Sequence, residues 1–132
     1  MDAPLKIISG LEQLEKIFYE AYGILTRRFE IFTIPMKEVN RDPRVEETRP
    51  GVYVYWTPKD GVVKIGRSFD NSRKRALSHV NTTEGMENIH RDPTAILYLF
   101  NPTDGKDFHL VAGLEVLFEI ELEPKVRSKR LG

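Results

Sequence analysis

The run from Gly51 to Arg67, GVYVYWTPKDGVVKIGR, constrains the fold more than any other stretch of the chain. Gly51-Val-Tyr-Val-Tyr-Trp56 is rich in β-branched and aromatic residues, and Thr57-Pro58-Lys59-Asp60 is a turn-forming cluster. Gly61-Val-Val-Lys-Ile-Gly-Arg67 then returns as a second strand, so the pattern predicts an antiparallel hairpin. With residues 57–60 as the loop, Tyr53 falls opposite Lys64 and Tyr55 opposite Val62, and such partners share a face of the sheet. A helix follows at once. Asp70, Asn71 and Ser72 can each cap it, and it carries Arg73, Lys74, Arg75, Ala76, Leu77, His79 and Val80. Arg75 and His79 stack on one face of that helix, one turn apart. A Tyr, a Lys, an Arg and a His gathered between Gly51 and His79 make a candidate phosphate-handling constellation.

The remaining elements frame this hairpin. Ser9-Gly10-Leu11-Glu12 has the form of a capping box, which predicts a helix start. Leu11, Leu14, Ile17, Phe18, Ala21, Ile24 and Leu25 recur at three- and four-residue intervals, giving one apolar stripe that ends between Thr26 and Phe32. Residues 33–50, with prolines at 35, 43 and 50, read as a connecting loop, and residues 81–92 as a polar one. Thr94-Ala-Ile-Leu-Tyr-Leu-Phe100 is a nearly continuous apolar run, typical of a strand covered on both faces. From Asp107, a candidate cap, to about Glu121, the residues Phe108, Val111, Leu114, Leu117 and Phe118 return at helical spacing, with Glu115 among them. The basic tail from Pro124 onward is expected to fray.

Composition excludes more than it assigns. Twenty Lys and Arg balance twenty Asp and Glu, so only a local patch could attract nucleic acid. The absence of cysteine removes disulfides, thiolate zinc sites and a thiol nucleophile, and fits a reducing compartment. No apolar run approaches the roughly 18 residues of a membrane span, and the amino terminus lacks a signal-peptide pattern. A soluble cytoplasmic protein of one domain is expected, with a helix and loop over 1–50, a core over 51–120 and a basic tail over 121–132.

Across residues 51–120 the chain resembles the GIY-YIG nuclease family. Gly51-Val52-Tyr53 stands where that family has Gly-Ile-Tyr, and Lys64-Ile65-Gly66 where it has Tyr-Ile-Gly. Arg75 matches the Arg that opens the family's next helix, His79 a His found one turn beyond it in some members, and Glu115 the metal-binding Glu of the helix after the third strand. Each triplet is common by chance; their order and placement on strand, strand, helix, strand and helix give the match its weight. The sequence departs from the pattern twice. Lys64 replaces the second motif Tyr, as in a branch that includes some restriction enzymes and phage-encoded members, and the Asn that many members carry beyond the catalytic Glu has no counterpart after Asn101.

The resemblance implies a small α/β (α+β) domain, a three-stranded antiparallel sheet flanked by helices, and a metal-dependent endonuclease that hydrolyses DNA phosphodiester bonds. The alternative is a nucleic-acid-binding module that keeps the fold without cleavage. In the nuclease, Glu115 would hold one Mg²⁺ or Mn²⁺, since magnesium binds through one or two protein carboxylates plus water and phosphate oxygens. Arg75 offers a permanently charged planar fork to the phosphate. Tyr53 or Lys64 would activate or position the water, and His79, titrating near neutrality, would relay its proton. Arg67, Arg73 and Lys74 are the expected contacts to the DNA backbone.

Overall fold

Alternation along Gly51–Thr57 decides how the molecule is layered. Val52, Val54 and Trp56 pack into one core cluster with Leu14, Phe18, Val111, Leu114 and Phe118. Tyr53 and Tyr55 point the other way, into a second cluster with Phe32, Ile34, Ala76, Leu97 and Leu99. The computed structural model describes residues 10–80, 85, 86 and 88–127. In chain order these form α1 (Gly10–Tyr22), β1 (Phe29–Pro35), β2 (Gly51–Thr57), β3 (Gly61–Ser68), α2 (Ser72–His79), β4 (Ile96–Pro102) and α3 (Phe108–Leu122). One antiparallel sheet of order β1-β4-β2-β3 carries α1 and α3 on one face and α2 on the other.

The sheet therefore has four strands where the sequence predicts three. The additional strand, FEIFTIP, occupies the end of the expected helix and the start of the expected loop over 33–50. α1 stops at Tyr22 because Gly23 takes a left-handed φ of +53°, which glycine adopts without a Cβ penalty. A 3₁₀ turn, Gly23–Arg28, then swings the chain into β1. β1 runs antiparallel to β4, with Phe32 opposite Leu99 and Ile34 opposite Leu97. β4 is covered on both faces as expected: Leu97, Tyr98, Leu99 and Phe100 are all buried. Ser9 of the expected capping box and much of the 81–92 loop lie outside the described residues.

The hairpin register also differs from the expectation. Tyr53 faces Gly66 and Tyr55 faces Lys64, and a bulge then puts Trp56 opposite Val62 and Thr57 opposite Gly61. The turn is tighter than four residues: Gly61 adopts a left-handed φ of +71°, and Thr57 Oγ1 accepts a hydrogen bond from the Asp60 amide at 3.0 Å. The slide is two residues at Tyr53 and Tyr55, so Tyr53 and Lys64 still share a face, while the bulge moves Val62 to the α1/α3 face, opposite to Tyr55. Past α3 the chain is not frayed at once. The amides of Lys125 and Val126 donate to the carbonyls of Val62 and Val63, laying residues 125 and 126 parallel to the outer edge of β3. Residues 128–132 lie outside the described set.

Candidate functional site

Both motif glycines are glycines for steric reasons. The Tyr53 ring lies across Gly66, where a Cβ would stand 2.2 Å from Tyr53 Cζ and Oη. Only a residue without a side chain leaves that ring its place, so the strand pairing of Tyr53 with Gly66 turns two separate triplets into one packed unit. At Gly51 a Cβ would stand 1.8 Å from Asn101 Oδ1. That oxygen accepts a hydrogen bond from Ser72 Oγ at 2.7 Å, and Asn101 Nδ2 donates to the Glu46 carbonyl at 3.1 Å. Asn101 thereby ties β4 to the start of α2 and to the 3₁₀ turn Val45–Thr48, and Gly51 makes room for the tie.

The next residue of β3 turns to the opposite face. Arg67 pairs with Val52, a member of the α1/α3 core, and its guanidinium reaches Glu115 on α3 at 2.6 Å. Glu115 is 2% exposed, while the Arg67 side chain keeps 23% of its surface in contact with solvent. A buried carboxylate requires a cation or several hydrogen bonds to remain ionised, and Arg67 is one such cation. The structure thus brings together two of the expected residues that stand 48 positions apart. Tyr53 and Lys64 lie on the α2 face of the sheet, and Arg67 and Glu115 on the α3 face.

α2 opens on the Asn71 side chain, which accepts from the Lys74 amide at 2.9 Å, so of the three possible caps Asn71 is the one used. Lys74 and Arg75 are exposed. Arg73, expected at the DNA backbone, turns inward instead: it donates to the carbonyls of Val39 and Arg41 and lies 3.5 Å from Glu47. Its side chain is 12% exposed, so its charge serves the fold and is not offered to a ligand. His79 is the last residue of α2, one turn beyond Arg75; its side chain lies outside the described residues.

Tyr53 and Tyr55 share a sheet face but not a role. The Tyr55 hydroxyl donates to the Ala76 carbonyl at 3.0 Å, and burial, reinforced by Tyr53 and opposed by Arg73, raises its pKa well above the ordinary phenol range. Tyr55 is a fixed neutral strut for α2. Among the described residues no group of three or more His, Cys, Asp or Glu could hold a metal. The donor set fits a hard ion that brings its own water and phosphate oxygens: one buried carboxylate, Glu115, with a second, Glu119, one turn further along α3. A metal and Arg67 would draw on the same Glu115 carboxylate.

Three buried acids escape sequence reasoning. Glu47 is fully buried among Arg41, Arg44 and Arg73; Glu119 lies beside Arg127; and Asp107, just before α3, binds Arg28. Glu47 belongs to a stretch of alternating charges, Glu119 to the apolar α3, and Asp107 to the expected helix cap, where its side chain makes no cap bond; no local spacing marks the pairings. No helix among the described residues is long and apolar enough to cross a membrane. No family model matches the chain, and neither the curated proteins nor the solved structures provide a significant match.

Proposed function

We propose that the chain is a metal-dependent endonuclease that cleaves DNA phosphodiester bonds inside the cell with a GIY-YIG-type site. The observation that carries this reading is the contact between Arg67, the residue after the second motif glycine, and Glu115, the acid that the resemblance assigns to the metal. The packing of Tyr53 on Gly66 adds to it, because it gives the two motifs a shared physical purpose.

Glu115 is the residue that would hold Mg²⁺ or Mn²⁺, whose chemistry when bound is neutralisation of charge on the phosphoryl oxygens and the leaving 3′ oxygen. Arg75, exposed on α2, would bind a phosphate oxygen and stabilise the charge that grows there in the transition state. Tyr53 or Lys64 would orient the attacking water and take its proton. Lys74 would anchor the DNA backbone, and Arg67 would both hold Glu115 in place and add positive field. The second reading, a nucleic-acid-binding module without cleavage, is favoured by one observation: Arg67 already occupies the carboxylate that a metal would need.

Supercoiled plasmid incubated with the purified chain and Mg²⁺ or Mn²⁺ separates the two. Nicking is expected, and Glu115→Gln, which keeps the side-chain shape, is expected to lower it at least about 10²-fold while DNA binding persists. Salt-dependent DNA binding without any cleavage would favour the binding module. Absence of both would remove the nucleic-acid reading altogether.

A further inference from the structure

Phe69 and Phe108 stand out among the exposed apolar side chains because they are paired with each other and with a cation. Each is 44% exposed, their ring centroids lie 5.3 Å apart at 61°, and Arg67 Cζ sits 4.9 Å from the Phe69 centroid. This is the same guanidinium that binds Glu115. Phe69 directly follows β3 and Phe108 opens α3, so the two elements that bring Arg67 to Glu115 also bring the rings together. We propose that Phe69 and Phe108 form a stacking platform for an unpaired nucleobase beside the scissile phosphate, which makes the enzyme prefer DNA with single-stranded character. The inference rests on the nuclease reading and adds a substrate class to it.

The occupant follows from chemistry at the rings. Exposed aromatic faces bordered by a guanidinium suit a ligand that is flat and apolar in its middle and anionic at its rim, which describes a nucleotide. Arg67 lies over the Phe69 ring; Arg28 pairs with Asp107, the residue before Phe108, and Lys106 and His109, near Phe108 in sequence, are exposed. The acids close by are Asp70, exposed; Asp104, whose carboxylate accepts from the Lys106 amide; and Asp107 and Glu115, which pair with Arg28 and Arg67. An apolar protein partner would gain nothing from Arg67 beside the rings. Inside a duplex both faces of each base are already stacked, so away from the duplex ends the rings can engage only a base that is unpaired or turned out of the helix.

Binding of fluorescein-labelled DNA in EDTA, where no cleavage interferes, tests the platform with two probes: a duplex bearing a single-stranded flap, and a fully paired duplex of equal length. The wild type is expected to prefer the flap. Phe69→Leu and Phe108→Leu, which keep apolar bulk without a π face, should each weaken flap binding about tenfold and leave duplex binding within about twofold. Unchanged thermal unfolding of the variants would confirm that the fold is not the cause. Equal loss on both probes, or no loss, overturns the proposal. So does a concentration-dependent dimer that the Leu variants dissociate while flap binding stands, because that result assigns the rings to a second copy of the chain. A ring-dependent flap preference without Glu115-dependent cleavage would keep the platform and refute the nuclease. Glu115-dependent cleavage with ring-independent binding would do the reverse.

Discussion

Placing a methyl group on Gly66 should displace Tyr53, and a double-mutant cycle makes the consequence measurable. The new Cβ would stand 2.2 Å from Tyr53 Cζ and Oη and 2.6 Å from Cε2. Tyr53 cannot easily yield: it is 5% exposed and packs edge-on against Tyr55 with centroids 6.1 Å apart. Overpacking of this kind costs about 1–3 kcal/mol, offset by the roughly 0.5–1 kcal/mol that Ala gains over Gly within a strand. Gly66→Ala should therefore destabilise by about 1–2 kcal/mol net. Tyr53→Ala alone should cost about 3–5 kcal/mol, as for other buried aromatic rings. In the Tyr53→Ala background the added methyl enters vacated space, so Gly66→Ala becomes neutral or stabilising, and the two sites couple by about 2 kcal/mol. Urea unfolding measures this directly, since with m near 2 kcal/mol per M such a coupling moves the midpoint by about 1 M. If Gly66→Ala costs the same in both backgrounds, the ring does not lie on Gly66 and the steric account of the motif fails.

Other perturbations separate structural from functional charge. Arg73→Ala should destabilise by about 2–3 kcal/mol, because it strips a buried carboxylate and two carbonyls of a partner, yet leave DNA binding by the folded fraction unchanged. Lys74→Ala, on the exposed side of the same helix, should alter stability by less than about 0.5 kcal/mol and reduce the slope of log affinity against log salt by about one; the opposite pattern would reverse the two assignments. The raised pKa of Tyr55 means that the folded chain keeps a proton the unfolded chain loses. Its contribution is present in full below about pH 10 and declines above it by up to about 1.4 kcal/mol per pH unit. Tyr55→Phe should cost about 1 kcal/mol at neutral pH through the lost bond to Ala76 and flatten that alkaline decline, with Tyr22, also raised by burial, retaining part of it. Unfolding curves from about pH 8 to about pH 11 decide the matter, and an unchanged slope would count against a buried neutral Tyr55.

The hairpin, the helix after it, the buried fourth strand and the last helix were all legible, because each carries its own period and its own punctuation. β1 was not. Ile24, Leu25, Phe29 and Phe32 extend the helical spacing of α1, and that continuity hides both the alternation of FEIFTIP and the stop at Gly23. In the structure Ile24 is 75% exposed, so the stripe has already left the core by that point. The candidate site was legible as residues but not as contacts. α3 is apolar on nearly every side, leaving Val116 and Ile120 exposed. Its sequence therefore has no polar face to fix its rotation, and nothing in it tells whether Glu115 points to solvent or to Arg67. The inward turn of Arg73 is hidden for a related reason: Glu47 sits in a stretch of alternating charges, and only the fold shows that it is fully buried.

The geometry of β3 sets where a substrate could meet both halves of the site. Tyr53, Lys64 and Gly66 share the face covered by α2, whereas Arg67 and Glu115 lie on the face covered by α3. Side chains on opposite faces of a strand can act on one phosphate only around its edge. β3 is an outermost strand, so it has such an edge. The chain after α3 closes part of it, since residues 125 and 126 bond to Val62 and Val63 and the bridge ends at Lys64 opposite Val126. Beyond Lys64, among the described residues, no strand pairs with the outer edge of β3 from Gly66 to Ser68. On the nuclease reading this is the point of approach, with the Tyr53 ring over Gly66 on one side and the Arg67–Glu115 pair on the other. Lys64, half-buried, is the last residue of the covered stretch. On the nuclease reading Lys64 would bind a phosphate along that edge, a role in substrate binding in place of the motif tyrosine.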